Sequence, residues 1–393
     1  MTDLSQRLQN LTPQQRKLLA EKLKSRDAAK HAEQPKAAPE SFPKMDLSLF
    51  FFSADGTGQG EGKYDMLMEC AKFADQNGFK AIWTPERHFQ AFGGLYPNPS
   101  VLSAALAVIT KNIRLRSGSV VLPLHSPVRI AEEWALVDNL SGGRVDLSFA
   151  TGWHNYDYVI RPENFHDRRE LMFRHIDTVR QLWRGETVAL PGVDGEETKV
   201  STLPRPVQKE LPFWVTATSE RTWKRAGEIG AGVLSTLGPS LEGLSRNVAA
   251  YRQARAQNGL DPRKGRVTIM LHTFLGDDEE TTKDLVREPM HHYLRNFLNQ
   301  YQQIPEGQKY SDPEALLEFA FERYYAQTSL LGTPEKCKQI LARLGAAGVT
   351  EAACLVDFGL QRQKVKDSLT KLAEFVPLFS TDQTPEKAVS RKS

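Results

Sequence analysis

Short apolar, β-prone runs alternate with stretches patterned at helical spacing from about residue 47 to residue 376 of this 393-residue chain. Eight runs read as strands: 47–52, 81–83, 113–121, 145–150, 213–216, 232–235, 267–271 and 352–356. Between the first two, residues 64–76 place Met66, Leu67, Cys70 and Phe73 on one helical face and stop at Asn77-Gly78, a helix-ending pair. Residues 101–110, 127–140, 166–183 and 219–229 read as further helices, the third of them stopped short of a Gly- and Pro-rich insertion between Gly185 and Leu211. Within that insertion Val193-Asp194-Gly195 is expected to be a hairpin turn. A long polar and aromatic helical region spans 279–327, and Gly332-Thr333-Pro334-Glu335 starts another helix. Strand and helix taking turns eight times predicts an α/β fold, a (β/α)8 TIM barrel with insertions, and argues against a helical bundle.

The ends depart from this alternation. Thr12-Pro13-Gln14-Gln15 is a capped helix start, and Leu18, Leu19 and Leu23 follow as an apolar stripe, so residues 1–24 read as an amphipathic helical arm. Residues 25–44 shift to Ala, Pro, Lys and Glu with Phe42 as the one large apolar residue, the composition of a linker. The barrel is expected over 45–379, and the polar residues 380–393 as a disordered tail.

Composition narrows the class. Hydrophobic residues make up 40% and charged residues 25%, an ordinary soluble balance. The net charge of +3, from 51 basic and 48 acidic residues without a long basic run, gives no support to nucleic-acid or membrane-surface partners. Cys70, Cys337 and Cys354 show neither C-x-x-C nor a disulfide framework. No apolar run approaches the ~20 residues of a membrane span, and the N-terminal residues lack a signal-peptide plan. A reduced, cytoplasmic protein is expected.

Residues just after each barrel strand share one mouth. Here these are Ser53, Asp55, 86–88, 122–125, 151–155, 216–222 and His272. Trp83, Phe89, Trp153 and Trp214 would give that mouth aromatic walls suited to a flat heteroaromatic cofactor, with core packing as the alternative for Trp153 and Trp214. Residues 216–222, Thr-Ala-Thr-Ser-Glu-Arg-Thr, bring hydroxyls, an arginine and the amides of a helix start to one place, which suits a phosphate; a plain N-cap at Ser219 explains part of the pattern without a ligand. Histidine titrates near neutral pH, which makes His88 and then His154 the acid/base candidates. No metal site is expected: the histidines are scattered, and the adjacent pair His291-His292 points to different sides of its helix. Dinucleotide, Walker and serine-elbow motifs are also missing from the sequence.

Trp83-Thr84-Pro85-Glu86-Arg87-His88-Phe89, with Pro97-Asn98-Pro99 after it, resembles the bacterial-luciferase-like, flavin-dependent monooxygenases, whose corresponding strand reads Pro-Glu-His-His-Phe with Asn-Pro a few residues on. The resemblance implies reduced FMN as co-substrate at the barrel mouth and O2 as the oxidant for a small organic substrate. It implies that Ser219 and Thr222 hold the flavin phosphate, with Thr151 and Thr218 beside them and Arg161 as a further phosphate ligand. It also implies a non-proline cis peptide beneath the flavin ring, at Val121-Leu122. His125 and Ser126 follow directly, either in reach of cofactor or substrate or as part of a surface loop.

One departure stands out. The family's first histidine after Glu is Arg87 here, and an arginine, always protonated, cannot be the base. The acid/base role passes to His88, with His154 second, and leaves Arg87 to balance an anion. The resemblance is nearest to the branch associated with peptide-synthetase and polyketide biosynthesis, which implies an aminoacyl or acyl substrate, free or tethered to a carrier protein. Residues 1–24 are similar to the Leu-rich segments that dock peptide-synthetase modules; an arm folded onto its own barrel or a dimer mate is the alternative. A separate flavin reductase and a homodimer are implied as well. The rivals are a deazaflavin (F420)-dependent oxidoreductase on the same barrel, and a flavin-binding protein that has lost catalysis, the latter suggested by Arg87.

Overall fold

Eight parallel strands close on themselves. The computed structural model describes residues 42–52, 62–152, 154–238, 240–301 and 313–380. The expected arm, nearly all of the linker, the tail beyond Ser380, and Ser53, Asp55 and Trp153 lie outside the described residues. The strands are β1 Asp46–Phe50, β2 Ala81–Thr84, β3 Arg114–Val121, β4 Val145–Ala150, β5 Val188–Pro191, β6 Glu197–Val200, β7 Phe213–Thr216, β8 Gly232–Thr236, β9 Val267–Leu275, β10 Leu330–Gly332 and β11 Glu351–Leu355. Parallel pairing runs β1-β2-β3-β4-β7-β8-β9-β11 and returns to β1, a (β/α)8 barrel. β5 and β6 form the expected hairpin of the insertion, and β10 pairs with the far end of β9.

The helices are α1 Asp65–Gln76, α2 Pro99–Ile109, α3 Pro127–Ser141, α4 Arg168–Arg184, α5 Glu220–Glu228, α6 Leu241–Gln257, α7 Glu279–Tyr301, α8 Pro313–Gln327, α9 Pro334–Ala346, α10 Arg362–Ala373 and α11 Val376–Phe379. Their ends follow local chemistry. Asn98 caps α2 by accepting from the Ser100 and Val101 amides at 2.9 and 3.2 Å, with Pro99 in the first turn. Gly142 ends α3 in the left-handed region, at φ 68°. The Met45 amide donates to the Phe379 carbonyl at 2.7 Å, so the start of β1 and the end of α11 are tied together.

Side chains on the strands alternate, and those that face inward stack in tiers. The tier nearest the strand starts is ionic. Arg116 donates from Nε to Asp146 at 2.6 Å and from Nη1 to both Glu351 oxygens at 2.6 and 2.5 Å, and its guanidinium lies 4.9 Å from the Trp83 ring and 4.5 Å from that of Trp214. Trp83 Nε1 and the Ser48 hydroxyl also donate to Glu351, at 3.0 and 2.6 Å. Trp83 and Trp214 meet edge to face at 5.6 Å and are fully buried. The expectation that these two rings wall the mouth is therefore corrected: their strand positions lie a tier below it, where they sandwich a buried cation. Gly232 leaves room for Trp214, since a Cβ there would come within 2.5 Å of the ring.

Above this lies a floor of hydroxyls. The pairing of β3 with β4 shifts register between Ser117 and Val120, and Ser119 Oγ reaches both Ser148 Oγ, at 3.3 Å, and Thr216 Oγ1. Ser148 and Thr216 are themselves 3.0 Å apart. At the end of β3 the chain turns through Val121, φ −80° and ψ 77°, into a single 3-10 turn over Leu122–Leu124. The Val121-Leu122 bond is trans, and the cis bond found among the described residues is Leu203-Pro204. The expected cis peptide is thus replaced by an ordinary tight turn.

Candidate active site

At the mouth, α5 starts directly after β7, and its first turn opens on a cleft of about 820 Å3 between α4 and α5. Thr151, Thr216, Thr218, Ser219, Arg221, Thr222 and Arg225 line it, with Arg169 and Phe173 from α4. Four of the residues proposed for the cofactor, Thr151, Thr218, Ser219 and Thr222, come together here. Ser219 Oγ caps the helix by accepting from the Thr222 amide at 3.4 Å and lies 3.0 Å from Thr222 Oγ1. Both bonds are exposed and easily exchanged for an anion. Backbone amides of a helix start, hydroxyls and the guanidinium groups of Arg169, Arg221 and Arg225 fit a phosphate monoester, with Glu170, Glu220 and Glu228 also in the lining and paired in part with those cations, Arg221 to Glu170 at 3.8 Å and Arg225 to Glu228 at 2.9 Å.

Arg161 does not line the cleft. Its side chain is about half exposed and pairs with Glu163 at 3.8 Å. Val121 and Leu122 are buried at the end of β3, beside the inner end of the cleft: Val121 packs so closely on Gly152 that a Cβ there would be 2.8 Å from the valine methyl. Gly152 also has φ +67°, so both space and backbone call for glycine.

The second half of the site is built on Glu86. Its buried carboxylate accepts the Val121 amide at 2.7 Å through one oxygen, and through the other meets His88 Nε2 at 2.8 Å and His125 Nε2 at 2.6 Å. An ionised carboxylate can only accept, so both imidazoles present Nε2–H to it, and Nδ1 is the atom left to His88 for other work. Burial alone would push Glu86 above the usual carboxylate range, but the bonds from His125, His88 and the Val121 amide hold it below. Burial would likewise lower His125, yet the bond and charge of Glu86 raise it above the ordinary histidine value. The two shifts agree in direction: each partner favours the charged form of the other.

The backbone pays attention to this arrangement at Phe89, which sits at φ 58° with its ring 64% exposed. A non-glycine residue there costs about 1–2 kcal/mol. The turn lets His88 fold back to Glu86 while Phe89 projects to solvent, 5.7 Å from the His88 ring.

Arg87 points the other way and is buried, with its amide donating to the Tyr96 carbonyl at 2.9 Å and its guanidinium 5.7 Å from the Phe52 ring. Gly93, at φ +82°, passes so close that a Cβ would be 2.7 Å from Arg87 Cγ. Burial lowers the Arg87 pKa against the pull of Asp157, and burial raises that of Asp157 against the pull of Arg87, His88 and His154. His154 caps the short turn Asn155–Val159, its Nδ1 accepting the Tyr156 amide at 3.3 Å, and burial lowers its pKa. The structure thus brings His88, Arg87 and His154 into one electrostatic neighbourhood, with His88 the member held by a carboxylate. Asp157 was not singled out from the sequence, and Glu86 and His125, both expected at the mouth, were not expected to pair. Among the described residues no group of three or more His, Cys, Asp or Glu side chains forms a metal-binding cluster. No described helix is long and apolar enough to cross a membrane.

The sequence profile of the family described as luciferase-like monooxygenase matches residues 45–351. The oxygenase component of a flavin-dependent trigonelline monooxygenase from Acinetobacter baylyi is 26% identical over 355 residues, covering 87% of this chain and 98% of that protein. Among solved structures, the oxygenating constituent of 3,6-diketocamphane monooxygenase from a Pseudomonas putida plasmid, in complex with FMN, superposes with TM-score 0.69 at 20% identity, covering 86% of this chain and 97% of the other. An F420-dependent secondary alcohol dehydrogenase shares the fold at TM-score 0.65 and 17% identity, over 86% of this chain and 99% of its own.

Proposed function

Because the chain belongs to the luciferase-like monooxygenase family, we propose that it is an FMN-dependent monooxygenase that uses reduced FMN and O2 to oxygenate a small organic substrate. The observation that carries this reading is the cleft at the start of α5, whose donor set fits a phosphate at one end and whose other end, at Thr151 and Thr216, opens on the hydroxyl floor of the barrel. Ser219, Thr222, Thr218 and the first amides of α5 would hold the flavin phosphate, with Arg221, Arg225 and Arg169 balancing its charge. When bound, FMN supplies the oxygen-transfer chemistry. The protein's part is to orient, to exclude water and to manage a proton. His88 gives or takes that proton at Nδ1, Glu86 and His125 hold the ring in place, and Arg87 supplies buried positive charge.

The trigonelline relative is named an oxygenase component, which supports a separate flavin reductase as the source of reduced FMN. For the substrate, we infer an aminoacyl or acyl group in peptide or polyketide biosynthesis, presented free or on a carrier protein, with residues 1–24 as a docking helix for a peptide-synthetase module. The Leu stripe of that segment and the 86–99 motif support this part of the reading. Three buried, unpaired cysteines support a reducing, cytoplasmic setting.

The fold itself does not choose between FMN and F420, since proteins using either share it. Oxygen uptake separates them. With a flavin reductase or chemically reduced FMN and a candidate acyl substrate under ¹⁸O2, label should enter the product, whereas hydride transfer from reduced F420 without oxygen uptake would support the rival. A protein that binds FMN but turns over nothing would be the lost-catalysis case. The Ser219→Ala/Thr222→Ala variant should weaken FMN binding by ~1.5–3 kcal/mol for each charged hydrogen bond removed, with its fold unchanged. Unaltered affinity in a fluorescence titration would remove the phosphate assignment.

A homodimer belongs to the same reading. α2 carries no charged residue, and it exposes Val101 and Val108 while α3, packed beside it, exposes Leu136 and Leu140. An apolar face of this kind on a helix that is hydrophobic all round is suited to a second copy. Sedimentation should show a dimer that Val101→Glu with Val108→Glu converts to monomer; a monomeric parent would dismiss the idea.

A further inference from the structure

His272 lies in β9 beside Leu355, the last residue of β11, in the row Thr268, Met270, His272, Phe274 that shares one face of the strand. It is 2% exposed and ringed by Tyr293 and Tyr324, from α7 and α8, and by Phe358, at centroid distances of 4.2, 5.3 and 5.4 Å. Burial pushes its pKa down to about 3, and no charged side chain offsets this, so the ring is neutral at working pH. Its Nδ1 is 2.8 Å from the Tyr324 hydroxyl, while Nε2 is buried with no hydrogen-bond partner among the described residues.

The tautomer follows from counting polar atoms. If Nδ1 carried the proton and donated to Tyr324, the tyrosine proton and the Nε2 lone pair would both lie unmatched in an aromatic surround. If Tyr324 donates to Nδ1, only one group is left over, an Nε2–H. The Tyr293 ring packs edge to face on that of His272, and aromatic rings are poor acceptors for such a donor. A neutral, fixed N–H with apolar walls is a donor waiting for an oxygen. The walls offer no countercharge, so an anion would lose its hydration there without compensation, and an uncharged acceptor is favoured.

We propose that His272 Nε2–H is a substrate-binding site for an uncharged carbonyl oxygen, of the thioester, ketone or amide kind. The inference rests on reading this mouth as the site of an acyl-substrate oxygenase, and it assigns the acyl carbonyl to a residue remote from the phosphate cleft.

The test is ¹⁵N NMR of the histidine-labelled full chain, with and without FMN, with S-acetyl-N-acetylcysteamine as the neutral probe and acetate as the charged one. The His272 signal, assigned as the one lost in His272→Phe, should show the Nε2–H tautomer through the range where free histidine titrates. The thioester should shift it and acetate should not. His272→Phe should weaken thioester binding about tenfold while leaving FMN affinity unchanged. His272→Gln, which keeps an N–H donor, should restore part of it, and Tyr324→Phe should mix the tautomers and reduce the response. An Nδ1–H tautomer, titration near neutrality, an equal shift with acetate, or silence toward the thioester both with and without FMN would each overturn the proposal. Loss of FMN binding with the thioester response intact would instead count against the flavin reading alone.

Discussion

The His88→Ala protein should bind FMN as tightly as the parent and turn over ~10²–10⁴ more slowly. The cleft proposed for the phosphate lies at the start of α5 and does not include His88, so the proposed anchor is unaffected. What is lost is the imidazole at the mouth whose Nε2 is tied to Glu86 and whose Nδ1 is left for the reacting group. The measurement is the turnover rate of parent and variant beside a flavin titration of each. Full activity would move the role to His125, which shares the same carboxylate oxygen, or to His154; loss of FMN binding would mean that His88 supports the fold of the mouth and not a proton transfer.

The eight barrel strands were legible because each is a short apolar run cut off by glycine or polar residues, and the structure places all eight within a few residues of the expected spans. The elements that escaped have weaker local signatures. α6 buries Leu244, Val248, Tyr251 and Ala254, a helical spacing diluted by Gly243 and by four intervening alanines and arginines, although Ser240 caps it by accepting the Gly243 amide at 3.1 Å. α10 buries Val365, Leu369 and Leu372 within an otherwise charged segment. β10 is three residues long and exists because the end of β9 offers an open edge, which no local pattern announces. The region 279–327 is two helices, α7 and α8, with 302–312 outside the described residues.

The candidate site could be proposed from the sequence in its parts and not in its connections. Ser219 and Thr222 could be marked because a strand end, hydroxyls and a helix start lie within seven residues. The Glu86 cluster depends on contacts 35 and 39 residues away, to Val121 and His125, which the parallel pairing of β2 with β3 creates. The tryptophans misled for a related reason. An aromatic ring near a strand end suits a cofactor wall, but the tier it occupies is set by register between strands, and register placed Trp83 and Trp214 around Arg116.

That buried arginine carries the largest stability effect. Arg116→Met keeps an unbranched stem between the two tryptophans, so packing is largely preserved, but it removes the cation that serves two carboxylates. Asp146 retains Arg114, whose Nε donates to it at 2.7 Å. Among the described residues Glu351 retains the Trp83, Ser48 and Thr268 donors, with Arg266 nearby, 3.7 Å from the Trp214 ring. Leaving one member of a buried pair behind typically costs ~3–5 kcal/mol. The single variant should therefore unfold at clearly lower denaturant, by chemical denaturation at neutral pH with an unchanged slope. Arg116→Met combined with Glu351→Gln should regain much of the loss, because the glutamine oxygen can still accept from Trp83 and Ser48 without an uncompensated charge. If the double variant is as unstable as the sum of the two single ones, the arginine acts mainly through its contact with the rings, and the ionic tier is not what stabilises the lower barrel.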